Sequence, residues 1–404
     1  MPLPDHLLSL WWLLRRWTPK HAWYRLRLPL RRRRWRFQSE RSATRMAKQP
    51  NALPSDGPAL VFGAFDGIHG LGRAAAYDLQ EVRRRHSHVI TIDISAALRR
   101  EPTHRVELET LVENVYFLCQ PDTYWVIPDV VDPAIFHGAY RTGRWVWETP
   151  KFPNSWRFAE ALVHRIWAPS QFCADTFEHA LPVPVEIIPY PVVALQRPQW
   201  DMRSRLGINA NVFLGVCIMD VYSCPDRKNP WDHIRAWKLA FGDNPDFTLV
   251  MKIRLGKRTK VVLSELTELI GNARNVRILT NDLSHEEIAA LHHSADVYMS
   301  LHRSEGYGLN IMEALLLDKP VVATDYSANA EYGPSFPTYY GIPYAMVRYS
   351  DSWRHYEDNF DYAQPDLQVA AQTLRAIAEL KFCTPTETTD IVSPTSYLPA
   401  TEAP

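Results

Sequence analysis

Between Asp296 and Glu331 the chain reads DVYMSL, HRSEGYGLN, IMEALLL and DKPVVATDYSANAE, and this run narrows the choice of fold more than any other. Val297 to Leu301 and Pro320 to Thr324 are short apolar runs bounded by turn-forming residues, and each predicts a buried strand. The residues from about Asn310 predict a short helix between them. Strand, loop, helix and strand in that order make a βαβ unit, which implies a parallel sheet covered by helices.

The carboxylates of this unit are placed unusually. Glu305 falls just past the carboxyl end of the first strand, where open α/β sheets bind ligands, and Glu313 follows eight positions later in the first turn of the helix. Gly306 and Gly308 let backbone N–H groups come close to a ligand, and a helix N-terminus offers partial positive charge to a phosphate. A carboxylate accepts two hydrogen bonds from a vicinal diol. One glutamate therefore suits a ribose and the other a hexose, provided that cations elsewhere neutralise a diphosphate. For Glu313 alone a plainer reading stands beside this one: with Asn310 as N-cap, it completes a capping box. That reading leaves Glu305 and the two glycines unexplained.

The segment EGYGLNIME resembles the E-x7-E motif of the retaining glycosyltransferases of family 4, which have the α/β GT-B architecture of two facing Rossmann-like domains with a cleft between them. The resemblance implies that Glu305 approaches the donor sugar and that Glu313 holds the ribose. Gly306, Tyr307, Gly308, Leu309 and Asn310 would then line the donor, and ATDYSANAEY continues the likeness. Arg227 and Lys228, in YSCPDRKNPWDHI, resemble the turn that opens the first helix of the family's second domain. With Lys252 at the end of the strand FTLVMKI, they would supply the positive charge that two glutamates and a diphosphate demand. RTGRWVWETPKFPNSW resembles a Trp-x-Trp-Glu turn of bacterial members, which puts Glu148 at a strand end facing the cleft. For Glu148 a structural pairing with an arginine and a catalytic role both stay open.

FGAFDGIHGLG holds four of the chain's sixteen glycines. It resembles the Gly-Leu-Gly loop near the start of many family members, which implicates Gly70, Leu71 and Gly72 in contact with donor phosphate or acceptor. A tight strand-to-helix turn with no ligand is the alternative. The run is not G-x-G-x-x-G, so a dinucleotide-dependent oxidoreductase is disfavoured. Two departures from the family matter. Where many members place a cleft histidine, this chain offers Cys119, Gln120, Pro121 and Asp122, with His69 available only in the glycine loop. An arginine usual before the Arg-Lys turn is replaced near Asp220. Both departures keep a non-catalytic GT-B relative, a scaffold or sugar-nucleotide-binding protein at the membrane, as the alternative function.

Charge balance and cysteine usage bound the rest. The 404 residues carry 45 Lys/Arg and 45 Asp/Glu, which argues against a generic nucleic-acid binder. Residues 1–50 nevertheless hold thirteen Lys/Arg against only Asp5 and Glu40, together with five of the fourteen tryptophans. Trp and Arg together favour an anionic membrane surface, so this tail predicts peripheral attachment to the inner face; a disordered basic tail and RNA stacking are the alternatives. Five scattered cysteines without C-x-x-C indicate neither a disulfide framework nor a zinc site and suit a reducing cytoplasm. The His292-His293 pair lacks metal-ligand spacing and reads as structural or surface.

The expected domains are 1–52 (basic tail), 53–195 and 196–346 (Rossmann-like), 347–381 (helical) and 382–404 (disordered). Within them, the helix from about Leu367 to Leu380 is expected to cross back to the first domain. What the resemblance implies is a metal-independent, retaining hexosyltransferase without cofactor. Its donor would be a nucleotide diphosphate sugar and its acceptor a glycan or lipid-linked molecule.

Overall fold

The computed structural model describes residues 46–49, 51–66, 70–256, 260–349, 356 and 360–382. The basic tail up to residue 45, His69 and the segment from Cys383 onward lie outside them, and with them the membrane reading of the tail. Residues 46–49 are docked on the first domain: Met46 is buried, its carbonyl accepts from Arg141, and Lys48 Nζ donates to the Val163 carbonyl.

The first domain alternates strands β1 (Ala59–Gly63), β2 (Val89–Asp93), β3 (Asn114–Leu118), β4 (Tyr140–Arg144), β5 (Arg165–Ala168) and β6 (Val185–Ile187) with helices α1 (Gly70–Arg85), α2 (Ser95–Arg99), α3 (Ile127–Val130) and α4 (Gln171–Glu178). All strands are parallel, in the order β2-β1-β3-β4-β5-β6. A sheet covered on both faces needs strands that are apolar throughout. In β1, Leu60 and Phe62 point into one core and Ala59 and Val61 into the other, and all five residues are buried.

The second domain contains helices α5 (Met202–Leu206), α6 (Pro225–Lys228), α7 (Pro230–Phe241), α8 (Lys260–Ile270), α9 (His285–Ser294), α10 (Leu309–Leu315) and α11 (Ala328–Tyr332). Its strands are β7 (Phe213–Asp220), β8 (Phe247–Arg254), β9 (Val276–Leu279), β10 (Val297–Ser300), β11 (Val321–Thr324) and β12 (Tyr339–Ile342), parallel and ordered β12-β11-β10-β7-β8-β9. The predicted βαβ unit is therefore β10-α10-β11. β7 splits its side chains as β1 does, with Phe213, Cys217 and Met219 on one face and Leu214 and Val216 on the other.

An antiparallel hairpin, β13 (Tyr344–Arg348) with β14 (Asp361–Pro365), follows, and then α12 (Leu367–Phe382). The expected return of this last helix to the first domain is corrected by the structure. Ala370, Leu374, Ile377 and Ala378 of α12 pack with Ile234, Trp237 and Phe213 in the second domain's core. The apolar stripe of α12 has its partner on α7, within the second domain. Among the described residues no helix is long and apolar enough to cross a membrane.

Candidate active site

The order of the second sheet reverses between β7 and β10, and crevices at such reversals, outside the carboxyl ends of the strands, are where open α/β sheets hold ligands. The segments leaving those two strands meet there. After β7, Cys224 caps the single turn of α6, and Asn229 in the left-handed region (φ 51°) breaks it from α7. Asn229 Nδ2 donates to the Leu301 carbonyl at 2.9 Å and Arg303 N donates to the Arg227 carbonyl at 2.8 Å, so the Arg-Lys turn is stitched to the end of β10.

The result is a compact charge cluster. Lys228 Nζ donates to Glu305 Oε1, and Arg227 Nη1 lies 3.1 Å from Glu305 Oε2. Arg227 also donates to Ser304 O (2.9 Å), Ser223 Oγ (3.1 Å) and Tyr356 Oη (2.9 Å), and its Nη2 is 3.4 Å from Glu148 Oε1 of the first domain. Burial alone would lift the Glu305 carboxyl, but Lys228 and Arg227 outweigh it and hold the group down to about 2. Burial also pulls the Lys228 ammonium below its ordinary value, and Glu305 restores only part of that. Two cations thus share Glu305, and Arg227 reaches Glu148 as well, so positive and negative charges are matched in number beside the loop that follows β10.

Glu313 occupies a different setting from the one the sequence suggests. α10 starts at Leu309, within one residue of the expected start, but Gly308 (φ 85°) precedes it and no side chain caps it, so the capping-box alternative does not hold. The Glu313 side chain is fully buried. Its carboxylate pairs with Arg73, on the first turn of α1 across the cleft, and stands 3.7 Å from His292 Nε2. His292 is itself buried, not a surface residue, and burial drives its imidazole down to about 3, so it is neutral. Arg73 Nη1 also donates to Asn310 Oδ1 at 3.4 Å.

The loop between the two glutamates is packed against the first domain. A Cβ on Gly306 would meet Val146 Cγ1 at 2.7 Å and the Trp147 carbonyl at 3.2 Å, so this glycine accommodates a close interdomain approach. Its carbonyl accepts from Ser170 Oγ at 2.9 Å. The Tyr307 ring meets Tyr190 edge-on at 4.9 Å, and Tyr307, Leu309, Met312 and Tyr332 form one apolar cluster with Ala74 and Tyr77 of α1. Gly70 and Gly72, expected in a loop, belong to α1: Gly70 is exposed at its start and Gly72 is buried in its first turn.

Lys252 stands apart from the Glu305 cluster. It is buried on β8, beside Ile218 of β7, and among the described residues its ammonium carries no hydrogen bond or salt bridge. Burial lowers its pKa, with Asp282 and Asp220 the nearby negative charges. Asp220 binds Arg254 at 3.0 Å. Glu148 receives Tyr356 Oη at 3.3 Å as well as Arg227, which realises the structural pairing left open from sequence. At the expected histidine position, the Cys119 thiol is pushed up to about 12 by burial and the Asp122 carboxyl up to about 6.

Sequence reasoning missed Arg73, Ser170, Ser327 and Glu331. Ser327 Oγ accepts from the backbone N of Glu305 at 2.8 Å, and Glu331 accepts from the backbone N of Gln171 and Phe172 at 2.8 and 2.7 Å. Ser327 and Glu331 carried a signal, since both lie within ATDYSANAEY, which resembled the family.

With this geometry in hand, the chain can be set beside known proteins. Its architecture is that of HepE from Anabaena in complex with UDP and glucose (TM-score 0.52, 15% identity, 80% of this chain and 95% of that one). The glycosyltransferase of Rickettsia africae ESF-5 is similar (0.53, 15%, 81% and 89%), as is WaaG, a glycosyltransferase involved in lipopolysaccharide biosynthesis (0.53, 14%, 80% and 90%). The fold is GT-B. Residues 221–333, which contain Arg227, Lys228, Glu305 and Glu313, match the family model described as Glycosyl transferases group 1. No curated protein matches the chain.

Proposed function

We propose that the chain is a retaining hexosyltransferase that moves a sugar from a nucleotide diphosphate sugar to a glycan or lipid-linked acceptor, without metal, at the inner membrane surface. The observation that carries this reading is the convergence of Lys228 and Arg227 on Glu305, at the reversal point of the second sheet and inside the segment that matches the group 1 family. The bond between the anomeric carbon and the β-phosphate oxygen breaks, and the two cations take up the charge that develops on the diphosphate. Glu305, ionised by the same cations, accepts hydrogen bonds from the sugar hydroxyls. The acceptor hydroxyl forms the new glycosidic bond and its proton passes to the departing phosphate. Lys252, which carries no ion pair among the described residues, adds a third positive charge toward the phosphates.

A second reading has one observation in its favour. Glu313, which the ribose would use, is sealed beneath Arg73, as suits a relative that has given up catalysis for binding or scaffolding.

Thermal unfolding with UDP, GDP, ADP and dTDP in turn, in metal-free buffer, separates these readings. Nucleotide at 100 times its dissociation constant stabilises by roughly 2.7 kcal/mol. One nucleotide is expected to raise the midpoint of the wild type and to protect Lys228→Met much less. Donor hydrolysis or transfer by the wild type, lost in Lys228→Met, supports the enzyme; nucleotide binding without turnover supports the scaffold. No shift with any nucleotide removes both.

A further inference from the structure

Ser327 lies in the turn that leaves β11 for α11, beside the Glu305 cluster, and its backbone is strained. Its φ of 68° and ψ of −151° fall in a region that is essentially reserved for glycine. Arg100 (φ 63°, ψ 32°) and Asn229 (φ 51°, ψ 51°) also have positive φ, but both sit in the ordinary left-handed helical basin. A conformation like that of Ser327 persists only where its surroundings over-determine it.

Those surroundings are bonds between the segments that leave β10 and β11. Thr324 Oγ1 donates to the His302 carbonyl at 2.6 Å, and Asn329 Nδ2 donates to the Thr324 carbonyl at 2.8 Å. The His302 ring meets Asn329 Oδ1 through Nε2 at 2.7 Å, and all three side chains are buried.

The turn so held delivers two groups to one residue. Ser327 Oγ accepts from the Glu305 backbone N at 2.8 Å, and Ala328 N donates to the Glu305 carbonyl at 3.3 Å. A hydroxyl has one proton to give, and Ser327 gives it to the Tyr326 carbonyl, which leaves a lone pair fixed toward Glu305. The Glu305 N–H belongs to the same planar unit as the Ser304 carbonyl, which accepts from Arg227 Nη1 at 2.9 Å. The same nitrogen lies 3.1 Å from Glu305 Oε2. One rigid peptide plane is therefore held on its N–H edge by Ser327 and on its C=O edge by Arg227, and rotation of that plane would carry the Glu305 carboxylate away from its two cations.

A serine that merely shaped the turn does not account for the strain. Glycine adopts this conformation without a steric penalty, and the Ala328 amide stays in place whatever side chain stands at 327. What serine has and glycine lacks is the hydroxyl directed at Glu305.

We propose that Ser327 is a positioning residue for Glu305: its hydroxyl fixes the peptide between Ser304 and Glu305, and so keeps the carboxylate and Arg227 aligned for the donor. For the chemistry that Glu305 performs this rests on the transferase reading above, while the alignment itself rests on the hydrogen bonds.

The test compares the full chain with Ser327→Gly and Ser327→Ala by thermal unfolding, by hydrolysis of UDP-glucose, GDP-mannose, ADP-glucose and dTDP-glucose, and by hydrogen exchange at the Glu305 amide. Both variants lack the hydroxyl, so the difference between their midpoints reads the backbone strain alone. Ser327→Gly is expected to unfold several degrees above Ser327→Ala. Both are expected to exchange the Glu305 amide roughly tenfold faster than the wild type, and to lower kcat by roughly tenfold or more on the donor that the wild type hydrolyses. A purely structural serine gives another pattern, in which Ser327→Gly, freed of strain, keeps its turnover. Wild-type turnover or wild-type exchange at Glu305 in Ser327→Gly therefore overturns the proposal, and equal midpoints for the two variants overturn the strained turn on which it stands. A wild type that hydrolyses none of the four donors, with exchange at Glu305 still faster in both variants, counts against the transferase reading and leaves the positioning of Glu305 in place.

Discussion

Glu305 is a carboxylate whose ionisation is secured by its neighbours, and this gives it a measurable pH signature. Arg227 and Lys228 are 4% and 18% exposed in their side chains, so neutralising their common partner leaves two poorly hydrated cations facing each other. Removing one member of such a buried arrangement costs about 3–5 kcal/mol. The folded-state pKa of about 2 lies below the ordinary 4.5. A depressed carboxylate contributes stability that is fully present above the unfolded value and fades as pH falls toward the folded one. Glu305→Gln is therefore expected to be less stable than the wild type in urea unfolding at pH 7, and the gap is expected to narrow by more than half at pH 3. An equal gap at both pH values would show that the loss comes from packing and not from charge. Glu305, Arg227 and Lys228 were recognisable as chemistry from sequence because each lies within a few residues of a strand end, where local pattern predicts position. Arg73 was not, because an arginine in a first helical turn looks like any solvated surface charge, and its partner Glu313 lies 240 residues further on.

Elements whose partners are close in sequence were predictable, and elements whose partners are distant were not. The β10-α10-β11 unit follows from local periodicity. The placement of α12 does not, because its apolar stripe fits either domain and only the groove beside α7 decides between them. The same limit hid the capping of α4. Its first backbone N–H groups are taken by Glu331, a carboxylate from α11 in the other domain, while its own N-cap Ser170 accepts from Cys173 N and donates to Gly306 O. A carboxylate on a helix N-terminus contributes roughly 1 kcal/mol through hydrogen bonds and the helix dipole. Glu331→Ala is expected to lower stability by about that amount and to speed hydrogen exchange at Gln171 and Phe172, with little change at Ala174, whose amide bonds Ser170 O within α4. Unchanged exchange at both positions would mean that the two domains do not hold each other here in solution.

At the scale of the molecule, these contacts describe two domains drawn together. Gly306 against Val146, Tyr307 against Tyr190, Glu331 on α4 and Arg227 on Glu148 all cross from one domain to the other, and Arg73 on Glu313 completes the closure beside the donor segment. The Arg73 pair differs from the others because it consumes a group that the proposed donor would use. If a ribose takes Glu313, Arg73 is a competitor that must first withdraw, and the free protein gains stability at the expense of its own affinity. Linkage then sets opposite signs on two measurements of Arg73→Met. The free protein loses the partner of a buried carboxylate and is expected to unfold at lower temperature, by several degrees for a loss of about 2 kcal/mol. The nucleotide has less to displace, so its dissociation constant is expected to fall and the midpoint shift that it produces to grow. A lower midpoint with a smaller nucleotide shift would instead make Arg73 a contact of the bound donor, and the closure between α1 and α10 would be part of binding and not an obstacle to it.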